Sequence, residues 1–522
     1  MIDGVNIIGF STSQKGSKTF QALNPEENKK LPEQFHIATT EEIDEAVYKA
    51  KSAFEEYKLI PGKNKADFLE KIGEEIMNLG DELVNRASAE SGLPTGRIKG
   101  ERGRTVNQLK MFADLLREGS WVDARIDSAQ PGREPAPKPD IRRMLFPMGP
   151  VVVFGASNFP LAFSTAGGDS ASALASGCPV IVKCHESHPG TNELVSKAIQ
   201  KAAKASGMPD GVFSSLNGKI EVGSALVEHP AIKAVGFTGS FRGGKAIYDL
   251  AQQREEPIPV YAEMGSINPV FLLNEKLSNS AVDIAQQYAA SVTLGAGQFC
   301  TNPGIIIGLQ GEHLDTFKST LAKKLEETPP ACMLNPGIAD NYRKKRADTL
   351  AQSGIESLSQ VKDTQNTTGS AAVASVMASN FLSNHHLQEE VFGPFTLIIE
   401  CANLEEMYKV ARGLSGQLTI SFMATENELP DYRKLIDISR EKAGRIIFNG
   451  VPTGVEVCPS MQHGGPFPAT TNSKFTSVGT AAIHRFARPV AFQDCPEGLL
   501  PDELKSNNPL KIYRLVDGKF TR

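Results

Sequence analysis

One of the seven cysteines stands in a sequence setting that suits a nucleophile. Cys300 follows the glycine-rich segment TLGAGQF and precedes TNPG, between a helical pattern and an apolar run typical of a strand. This position predicts an accessible thiol surrounded by backbone N–H groups. A thiolate attacks electrophilic carbon, but a free cysteine is more often a small buried apolar residue. The case for chemistry therefore depends on partners elsewhere in the chain.

A thiol that attacks an aldehyde needs two further kinds of group. The oxyanion of the thiohemiacetal requires hydrogen-bond donors, and the departing hydride requires an acceptor. Segments that could supply these parts occur in the order GASNFPLAFS (155–164), PVIVKCHES (179–187), GFTGSFRGG (236–244), YAEMGSINP (261–269) and EEVFGP (389–394).

In motif order and spacing, this set resembles the aldehyde dehydrogenase superfamily over nearly the whole chain. The resemblance implies NAD(P)-dependent oxidation of an aldehyde to a carboxylate through a cysteine thiohemiacetal and thioester. It assigns Cys300, in a GQxC pattern, as the nucleophile. It assigns Asn158, of the NFP motif, as an oxyanion donor together with the Cys300 backbone N–H.

The resemblance also assigns Glu263 as the base that activates water for hydrolysis of the thioester. Its neighbours Tyr261, Ala262, Met264 and Gly265 are mostly apolar. Such surroundings predict a pKa raised towards neutrality, as a general base requires.

A nicotinamide dinucleotide site follows from the same resemblance. The strand pattern KAVGF leads into a glycine-rich turn and a predicted helix, which would bring backbone N–H groups and the helix dipole to a pyrophosphate. The turn lacks the GxGxxG fingerprint but matches the family's GSxxxG element. The residues implied to contact the cofactor are Gly239, Ser240 and Gly244 at the pyrophosphate, Lys183 and Glu186 at the adenosine ribose, and Glu390 and Phe392 at the nicotinamide end.

Glu186 bears on the choice between NAD and NADP. It falls at the family position that faces the adenosine 2′ substituent, where a carboxylate accepts a hydrogen bond from a hydroxyl and repels a phosphate. NAD is therefore favoured. NADP is the alternative, because His185, His188 or Lys219 could offset the repulsion.

Several departures from the superfamily's commonest motifs resemble one subgroup. Gly155-Ala156-Ser157 replaces the usual Pro-Trp before NFP, and Ser266 replaces the second glycine after Glu263. These features, with the later segments NGVPTGVEV (449–457) and HGGPFPATT (463–471), are similar to a subgroup that oxidises α-ketoglutaric semialdehyde (2,5-dioxopentanoate) or fatty aldehydes.

Oxidation of 2,5-dioxopentanoate to 2-oxoglutarate is the favoured activity, and a medium- or long-chain aldehyde is the alternative substrate. A catalytically silent homologue is a remote alternative, because the nucleophile, base and oxyanion donor are all present. A substrate carboxylate requires a cation or several donors, whereas a fatty aldehyde requires an apolar funnel. The implied tunnel residues are Phe159, Ala162, Phe163 and Leu294, with Arg104 and Gln108 as carboxylate partners or, alternatively, parts of a solvated helix face.

Alternating strand and helix patterns must position these residues. Short β-rich runs at VVVF (151–154), PVIVK (179–183), KAVGF (233–237) and PVYAE (259–263) are separated by stretches long enough for helical crossovers. This alternation indicates the α/β class with parallel sheets. Nearer the N-terminus, Thr39 and Glu42 have capping-box spacing before an amphipathic helix.

The resemblance completes the expected architecture. It implies an aldehyde dehydrogenase-like fold with a parallel-sheet dinucleotide-binding domain, an α/β catalytic domain and a small β oligomerisation arm. The expected bounds are 1–120 and 147–255 for the first domain, 256–450 for the second, and 121–146 with 485–522 for the arm and tail. A homodimer or homotetramer is expected, since relatives pair through such edge strands.

Composition excludes several other classes of protein. The 522 residues are 40% hydrophobic and 22% charged, as in ordinary globular proteins, and their number favours two or three domains. A net charge of −5 gives no general attraction to nucleic acid or anionic membrane. No apolar run reaches the roughly 18 residues of a membrane span, and no export signal is recognised. With cysteines that form no CxxC pair, we expect reduced thiols, no metal site, a cytoplasmic location and a small aldehyde as partner.

Overall fold

The computed structural model describes residues 2–362 and 364–522. Its α-helices are α1 (Thr40–Tyr57), α2 (Gly62–Asn78), α3 (Gly80–Ser91), α4 (Thr95–Glu118), α5 (Gly168–Ser176), α6 (Pro189–Ala205), α7 (Ile220–Glu228), α8 (Phe241–Gln252), α9 (Asn274–Thr293), α10 (Glu312–Glu327), α11 (Pro336–Leu350), α12 (Ala378–Ser383), α13 (Leu404–Gly413) and α14 (Arg433–Arg440).

The strands alternate with these helices over most of the chain. They are β1 (Asn6–Ile8), β2 (Ser11–Ser13), β3 (Thr19–Phe20), β4 (Leu23–Asn24), β5 (Lys29–Lys30), β6 (Phe35–His36), β7 (Arg125–Asp127), β8 (Ile141–Pro147), β9 (Val151–Phe154), β10 (Val180–Lys183), β11 (Phe213–Leu216), β12 (Ala234–Thr238), β13 (Val260–Glu263), β14 (Val270–Leu272), β15 (Ile305–Leu309), β16 (Ala331–Cys332), β17 (Ile355–Ser357), β18 (Thr368–Gly369), β19 (Ala372–Met377), β20 (Phe395–Cys401), β21 (Gln417–Met423), β22 (Ala443–Phe448), β23 (Ala487–Gln493), β24 (Arg514–Val516) and β25 (Lys519–Thr521).

The first large sheet has the strand order β13-β12-β9-β10-β11-β1-β2. Its strands from β13 to β11 are parallel, and β1 and β2 extend the sheet antiparallel. Because side chains alternate between the two faces of a strand, Val151 and Val153 enter one apolar core while Val152 enters another. Both faces are thus covered, which explains the continuous apolar run of β9.

The second large sheet has the order β17-β19-β20-β15-β14-β21-β22 and is parallel except for β17. Here too the alternation divides neighbouring residues between two cores: Ile305 and Ile307 pack into one, and Ile306 into the other. These two parallel sheets confirm the predicted α/β class. The first sheet includes β13 and therefore extends past residue 255, the expected domain boundary; the domain division itself stays a prediction.

A third, five-stranded sheet has the order β23-β8-β7-β24-β25. It joins the proline-rich segment after α4 to the C-terminal segment, and it has its own small apolar core around Val122, Met144 and Leu504. The resemblance implied a small β arm formed by these two segments. Pairing of β23 with β8 over residues 487–493 and 141–147 shows how the distant C-terminal segment completes it.

Local sequence signals predicted some elements better than others. The Thr39–Glu42 capping box is present at the start of α1, with hydrogen bonds in both directions. The short strands β1 to β6 were not predicted, because two- and three-residue strands carry little local signal and β1, for example, depends on the distant β11. Among the described residues, no helix combines the length and apolar character needed to cross a bilayer.

Candidate active site

The carboxyl ends of the first sheet's parallel strands bring several predicted residues together. In the strand register, Lys183 at the end of β10 lies beside Phe154 of β9, and Glu263 at the end of β13 lies beside Thr238 of β12. The chain continues from β9 towards Asn158. Ligand sites in open α/β sheets form at this edge, because several loops begin there.

Cys300 reaches this edge on a tightly constrained turn after α9. The turn includes Gly297 with a φ of 65°, and a Cβ there would overlap with the backbone carbonyl group of Gly393. On the other side, the Asn268 side-chain amide donates to the carbonyl oxygens of Cys300 (2.8 Å) and Asn302 (2.9 Å). The backbone around the thiol is therefore held by both neighbouring segments.

A buried histidine joins the predicted nucleophile to the predicted base. His463 Nε2 lies 3.5 Å from Cys300 Sγ and 2.9 Å from Glu263 Oε1. His463 and Glu263 are 1% and 3% exposed, whereas Cys300 is partly exposed. The Ser477 hydroxyl donates a short hydrogen bond to the other carboxylate oxygen of Glu263. The side chains of Cys300, His463 and Glu263 thus form a chain of polar contacts, of which only the cysteine is partly exposed.

The acid–base properties of this group differ from the sequence prediction. Burial alone pushes the pKa of Glu263 upward, but His463 and the hydrogen bonds from His463 and Ser477 outweigh it and hold the pKa below its ordinary value. The predicted upward shift is therefore wrong, because His463 and Ser477, both distant in sequence, stabilise the charged carboxylate more than burial destabilises it. Withdrawal from water raises the pKa of the Cys300 thiol well above its usual range, and the charge of Glu263 raises it further.

Asn158 lies close to the nucleophile's backbone. Its side-chain amide donates to the carbonyl oxygen of Gln298, two residues before Cys300, at 3.0 Å. An asparagine amide carries two protons, so one remains for another acceptor. The Asn158 carbonyl oxygen in turn accepts from Arg97 Nη2 at 2.8 Å, which fixes the residue's position.

The predicted pyrophosphate-binding residues lie at the start of α8. Ser240 is the N-cap residue, and its hydroxyl accepts from the Gly243 N–H at 3.2 Å. Gly239 and Ser240 are exposed. At Gly244 a Cβ would lie 2.7 Å from Met264 Cγ, so the glycine lets α8 pack against the end of β13. An exposed helix N-terminus that is close to the sheet edge fits an anionic group such as a pyrophosphate.

Lys183 at the end of β10 lies near Glu186 in the loop that follows. Lys183 Nζ is 3.9 Å from a Glu186 carboxylate oxygen, and burial lowers the pKa of Lys183. Glu186 is exposed and can meet a ligand. His188 is fully buried, with Nε2 3.0 Å from the Ala156 carbonyl oxygen, so it does not offer a surface to a 2′-phosphate as the sequence allowed.

Glu390 and Phe392 line a cleft that also includes Gly297, Phe299 and Asn302 of the nucleophile turn. The Glu390 carboxyl accepts from the Ser266 backbone N–H, and burial raises the pKa of Glu390 to about 7. The structure thus places the predicted nicotinamide-end residues next to the Cys300 turn.

An aromatic and cationic cluster borders the site on the side of α4. The ring of Phe159 lies 5.3 Å from that of Phe163 and 5.5 Å from that of Phe299. The guanidinium carbon of Arg104 is 5.2 Å from the centre of the Phe163 ring. Among the described residues, buried Arg104 Nε and Nη2 have no hydrogen-bond partner. This arginine therefore lies on an enclosed face of α4, and the alternative of a solvated face is wrong for it.

Other predicted substrate residues have different environments. Ala162 is 1% exposed, and its N–H donates to Glu101 Oε1 at 2.9 Å, so it anchors the turn after β9. Gln108 is 2% exposed, and its side chain packs against the start of α5 at Gly168, so it does not lie on a solvated helix face. Leu294, by contrast, is 52% exposed near the nucleophile turn.

Sequence reasoning missed several residues of the site. His463 was noted only as part of the HGGPFPATT segment, and Asn268 only as part of YAEMGSINP. Ser477 and Arg445 were not singled out, although the charge of Arg445 acts on Cys300. A glycine-rich segment that contains a histidine was the available signal, but its distance in sequence from Cys300 concealed the contact.

Comparisons with known proteins agree with this geometry. The sequence pattern of the aldehyde dehydrogenase family matches residues 10–466. The chain is 48% identical over 521 residues to alpha-ketoglutaric semialdehyde dehydrogenase 2 of Azospirillum brasilense, covering 99% of each chain. It is 44% identical over 525 residues to alpha-ketoglutaric semialdehyde dehydrogenase of Acinetobacter baylyi, covering 100% of this chain and 99% of the relative.

Solved structures show the same fold at much lower identity. Methylmalonate-semialdehyde dehydrogenase from Oceanimonas doudoroffii has a TM-score of 0.80 at 17% identity, covering 94% of this chain and 98% of the other. Aldehyde dehydrogenase 21 from Physcomitrella patens has a TM-score of 0.80 at 20% identity, covering 96% and 100%. The chain therefore belongs to the aldehyde dehydrogenase family, whose members are NAD(P)-dependent oxidoreductases acting on aldehydes.

Proposed function

We propose that this enzyme oxidises α-ketoglutaric semialdehyde (2,5-dioxopentanoate) to 2-oxoglutarate, with NAD as the hydride acceptor. The names of two relatives that match over the full chain support the substrate. The structural observation that carries the proposal is Arg104, a buried guanidinium whose Nε and Nη2 donors have no partner among the described residues.

Arg104 suits the substrate's carboxylate because it lies near Cys300 and has N–H groups without a hydrogen-bond partner. Its charge acts on both Cys300 and Glu263, so it lies within electrostatic reach of the reacting thiol. A short dicarbonyl acid with its aldehyde carbon at Cys300 would direct its carboxylate away from the thiol, towards such a cation. Buried charge-assisted hydrogen bonds are stronger than neutral ones, and guanidinium and carboxylate can pair through two of them.

The residues support a covalent reaction in two stages. Cys300, as a thiolate, adds to the aldehyde carbon, and Asn158 with the Cys300 N–H holds the oxyanion of the thiohemiacetal. The nicotinamide, when bound, supplies the acceptor for the hydride that leaves this carbon. Glu263 then removes a proton from water, which attacks the resulting thioester and releases the carboxylate and the Cys300 thiol.

The cofactor side rests on the residues of the first sheet's edge. Gly239 and Ser240 would hold the pyrophosphate at the start of α8, with Gly244 allowing the close packing of that helix, and Lys183 would hold the adenosine ribose. Glu390 and Phe392 would hold the nicotinamide end. Exposed Glu186 supports NAD over NADP, because a carboxylate repels a 2′-phosphate.

Initial rates with four aldehydes and two cofactors test the proposal. We expect kcat/KM to be highest for 2,5-dioxopentanoate, ahead of succinic semialdehyde, glutaraldehyde and a long-chain aldehyde, and higher with NAD than with NADP. A preference for the long-chain aldehyde would instead support a fatty aldehyde dehydrogenase, an alternative favoured by the aromatic rings of Phe159, Phe163 and Phe299. A kcat/KM with NAD equal to or lower than that with NADP would contradict the choice of NAD.

The proposal also covers the cellular location and the oligomeric state of the enzyme. We place it in the cytoplasm, in keeping with seven cysteines that form no disulfide among the described residues. We also propose a homodimer or homotetramer assembled through the five-stranded sheet.

A further inference from the structure

Arg97 of α4 contacts both segments that carry the proposed oxyanion donors. Its Nη2 donates to the carbonyl oxygen of Asn158 at 2.8 Å. Its guanidinium carbon lies 5.0 Å from the centre of the Phe159 ring and 4.8 Å from that of the Phe299 ring. Phe159 directly follows Asn158, and Phe299 directly precedes Cys300. One planar cation therefore joins the chain beside the amide donor to the chain beside the nucleophile.

The same guanidinium also borders the turn before the nucleophile. A Cβ at Gly295 would lie 2.7 Å from Arg97 Nη1 and 2.9 Å from the Phe299 ring. The rings of Phe159 and Phe299 lie 5.5 Å apart in an edge-to-face arrangement, so the two segments also meet each other beside the arginine. A cation beside aromatic rings is held more strongly when it is withdrawn from water. The arginine thus packs against the turn as well as against the loop after β9.

One helical turn further along α4, Glu101 holds the chain that follows Asn158. Its Oε1 accepts from the N–H groups of Leu161 (2.8 Å) and Ala162 (2.9 Å), and the side chain is 5% exposed. Residues four apart share one face of a helix, and the charge of Glu101 acts on Arg97. This face of α4 therefore holds the loop after β9 at two points.

We infer that Arg97 is a positioning residue for the oxyanion of the thiohemiacetal: it fixes the distance between the Asn158 amide and the Cys300 N–H. Donors stabilise an oxyanion only when they already point at the place where the charge develops. The inference rests on the proposed covalent reaction, because it explains how the donors of that reaction are held. Arg97 lies in none of the five motifs that indicated the family.

The contacts of Arg97 favour this role over binding of the substrate's carboxylate. Its Nη2 is already bonded to the Asn158 carbonyl oxygen. Its buried Nη1 has no hydrogen-bond partner among the residues that the structure describes, but it lies against Gly295 of the turn. A carboxylate pairs best with two donors of one guanidinium, and Arg104 offers Nε and Nη2 for that purpose.

Two reactions of Cys300 in the full-length enzyme, both without cofactor, test the role of Arg97. Iodoacetamide alkylates the thiol at a saturated carbon, so no oxyanion forms. p-Nitrophenyl acetate acylates the thiol through a tetrahedral oxyanion, and release of p-nitrophenolate gives the rate of the first turnover. In Arg97→Met we expect acylation to slow about 10- to 100-fold, because a misplacement of about 1 Å can cost about 100-fold. Alkylation of Cys300, measured by peptide mass spectrometry, should change little.

Matched variants make the test specific. Arg102→Met removes an arginine on the same helix that binds the Gly80 carbonyl oxygen, and it should leave both reactions unchanged. Asn158→Ala removes the proposed amide donor and should slow acylation about 100- to 1,000-fold. Adding Arg97→Met to Asn158→Ala should slow it further by less than Arg97→Met does alone, because effects that act through one group are not additive. Arg97→Lys keeps a cation that can donate to Asn158 and should recover part of the rate lost in Arg97→Met.

Aldehyde oxidation gives a second measurement. In Arg97→Met, kcat for 2,5-dioxopentanoate should fall while KM changes little, because the lost interaction supports the transition state and not the bound substrate. A raised KM with an unchanged kcat would assign Arg97 to substrate binding and would overturn the inference.

The paired reactions can also contradict the inference directly. A wild-type ratio of acylation to alkylation in folded Arg97→Met, or in Arg97→Lys if the first variant does not fold, would overturn it. Equal losses of both reactions would show a changed thiol or general unfolding and would count against it too. If Asn158→Ala slows acylation and the Arg97 variants do not, this inference alone fails. If Asn158→Ala also keeps the wild-type rate, the proposed oxyanion donor is wrong as well.

Discussion

Arg104 is the residue whose environment most directly predicts substrate preference. Its guanidinium is enclosed by the rings of Phe159 and Phe163, and burial lowers its pKa against the pull of Glu101. A cation kept in such a place is costly unless a partner joins it. A bound carboxylate would supply that partner.

Arg104→Met should therefore weaken recognition of the acid more than that of an apolar aldehyde. We expect KM for 2,5-dioxopentanoate to rise about 10- to 100-fold, because a hydrogen bond to a charged group contributes roughly 1.5–3 kcal/mol. KM for hexanal should change little or fall. Arg102→Met on the same helix is the matched control, since the Arg102 guanidinium binds the Gly80 carbonyl oxygen. Equal effects of Arg104→Met on both aldehydes would contradict the assignment.

At the level of elements, the turn between α9 and β15 decides where the thiol lies. Gly295, Ala296 and Gly297 all have positive φ, which places three consecutive residues in the left-handed region. Gly297 also lies against the Gly393 backbone. A residue with a side chain would be strained at this φ, and its Cβ would overlap with Gly393. The turn that carries the nucleophile therefore packs directly against the segment that carries Glu390.

Gly297→Ala should displace this turn. The methyl group requires both a strained φ and movement of the Gly393 backbone, so we expect a lower melting temperature and at least a tenfold loss of kcat, equivalent to about 1.4 kcal/mol. Gly100→Ala on α4 is the control, because a Cβ there meets no atom within 4 Å. It should leave activity unchanged and the melting temperature equal or higher. Wild-type kinetics in Gly297→Ala would show that the turn tolerates a side chain.

At the level of the whole molecule, the five-stranded sheet presents an edge. Strand β23 pairs only with β8 among the described residues, and most of its side chains are at least partly exposed. Its Pro489 is a residue typical of edge strands. An edge strand of seven residues offers unpaired backbone groups to a second chain.

We therefore expect a defined oligomer in solution. Sedimentation velocity at micromolar concentration should give a mass of two or four times 56 kDa. A chain truncated before residue 485 loses β23 and should not form this species; circular dichroism must show that the remaining sheets are folded. A single 56 kDa species of the intact chain would contradict the proposed assembly.

The sequence by itself determined the elements that depend on local or periodic signals. The capping box at Thr39, the apolar runs of β9 and β10 and the order of the five motifs predicted the α/β class and the chain's family. Cys300, Asn158 and Glu263 could be selected because each lies in a motif of fixed spacing. Their meeting at one edge follows from parallel strands, whose carboxyl ends share that edge.

The tertiary structure alone decided the chemistry around them. His463 lies 163 residues from Cys300 in sequence, so no local spacing could indicate their contact. The pKa of Glu263 reflects a balance between burial and its contacts with His463 and Ser477, which sequence neighbours do not reveal. Arg104 and Gln108 lie on the same helix, and only the fold shows that Arg104 borders the site whereas Gln108 packs against α5. Short-range patterns encode backbone conformation, whereas burial and charge at an atom are sums over residues that only folding brings together.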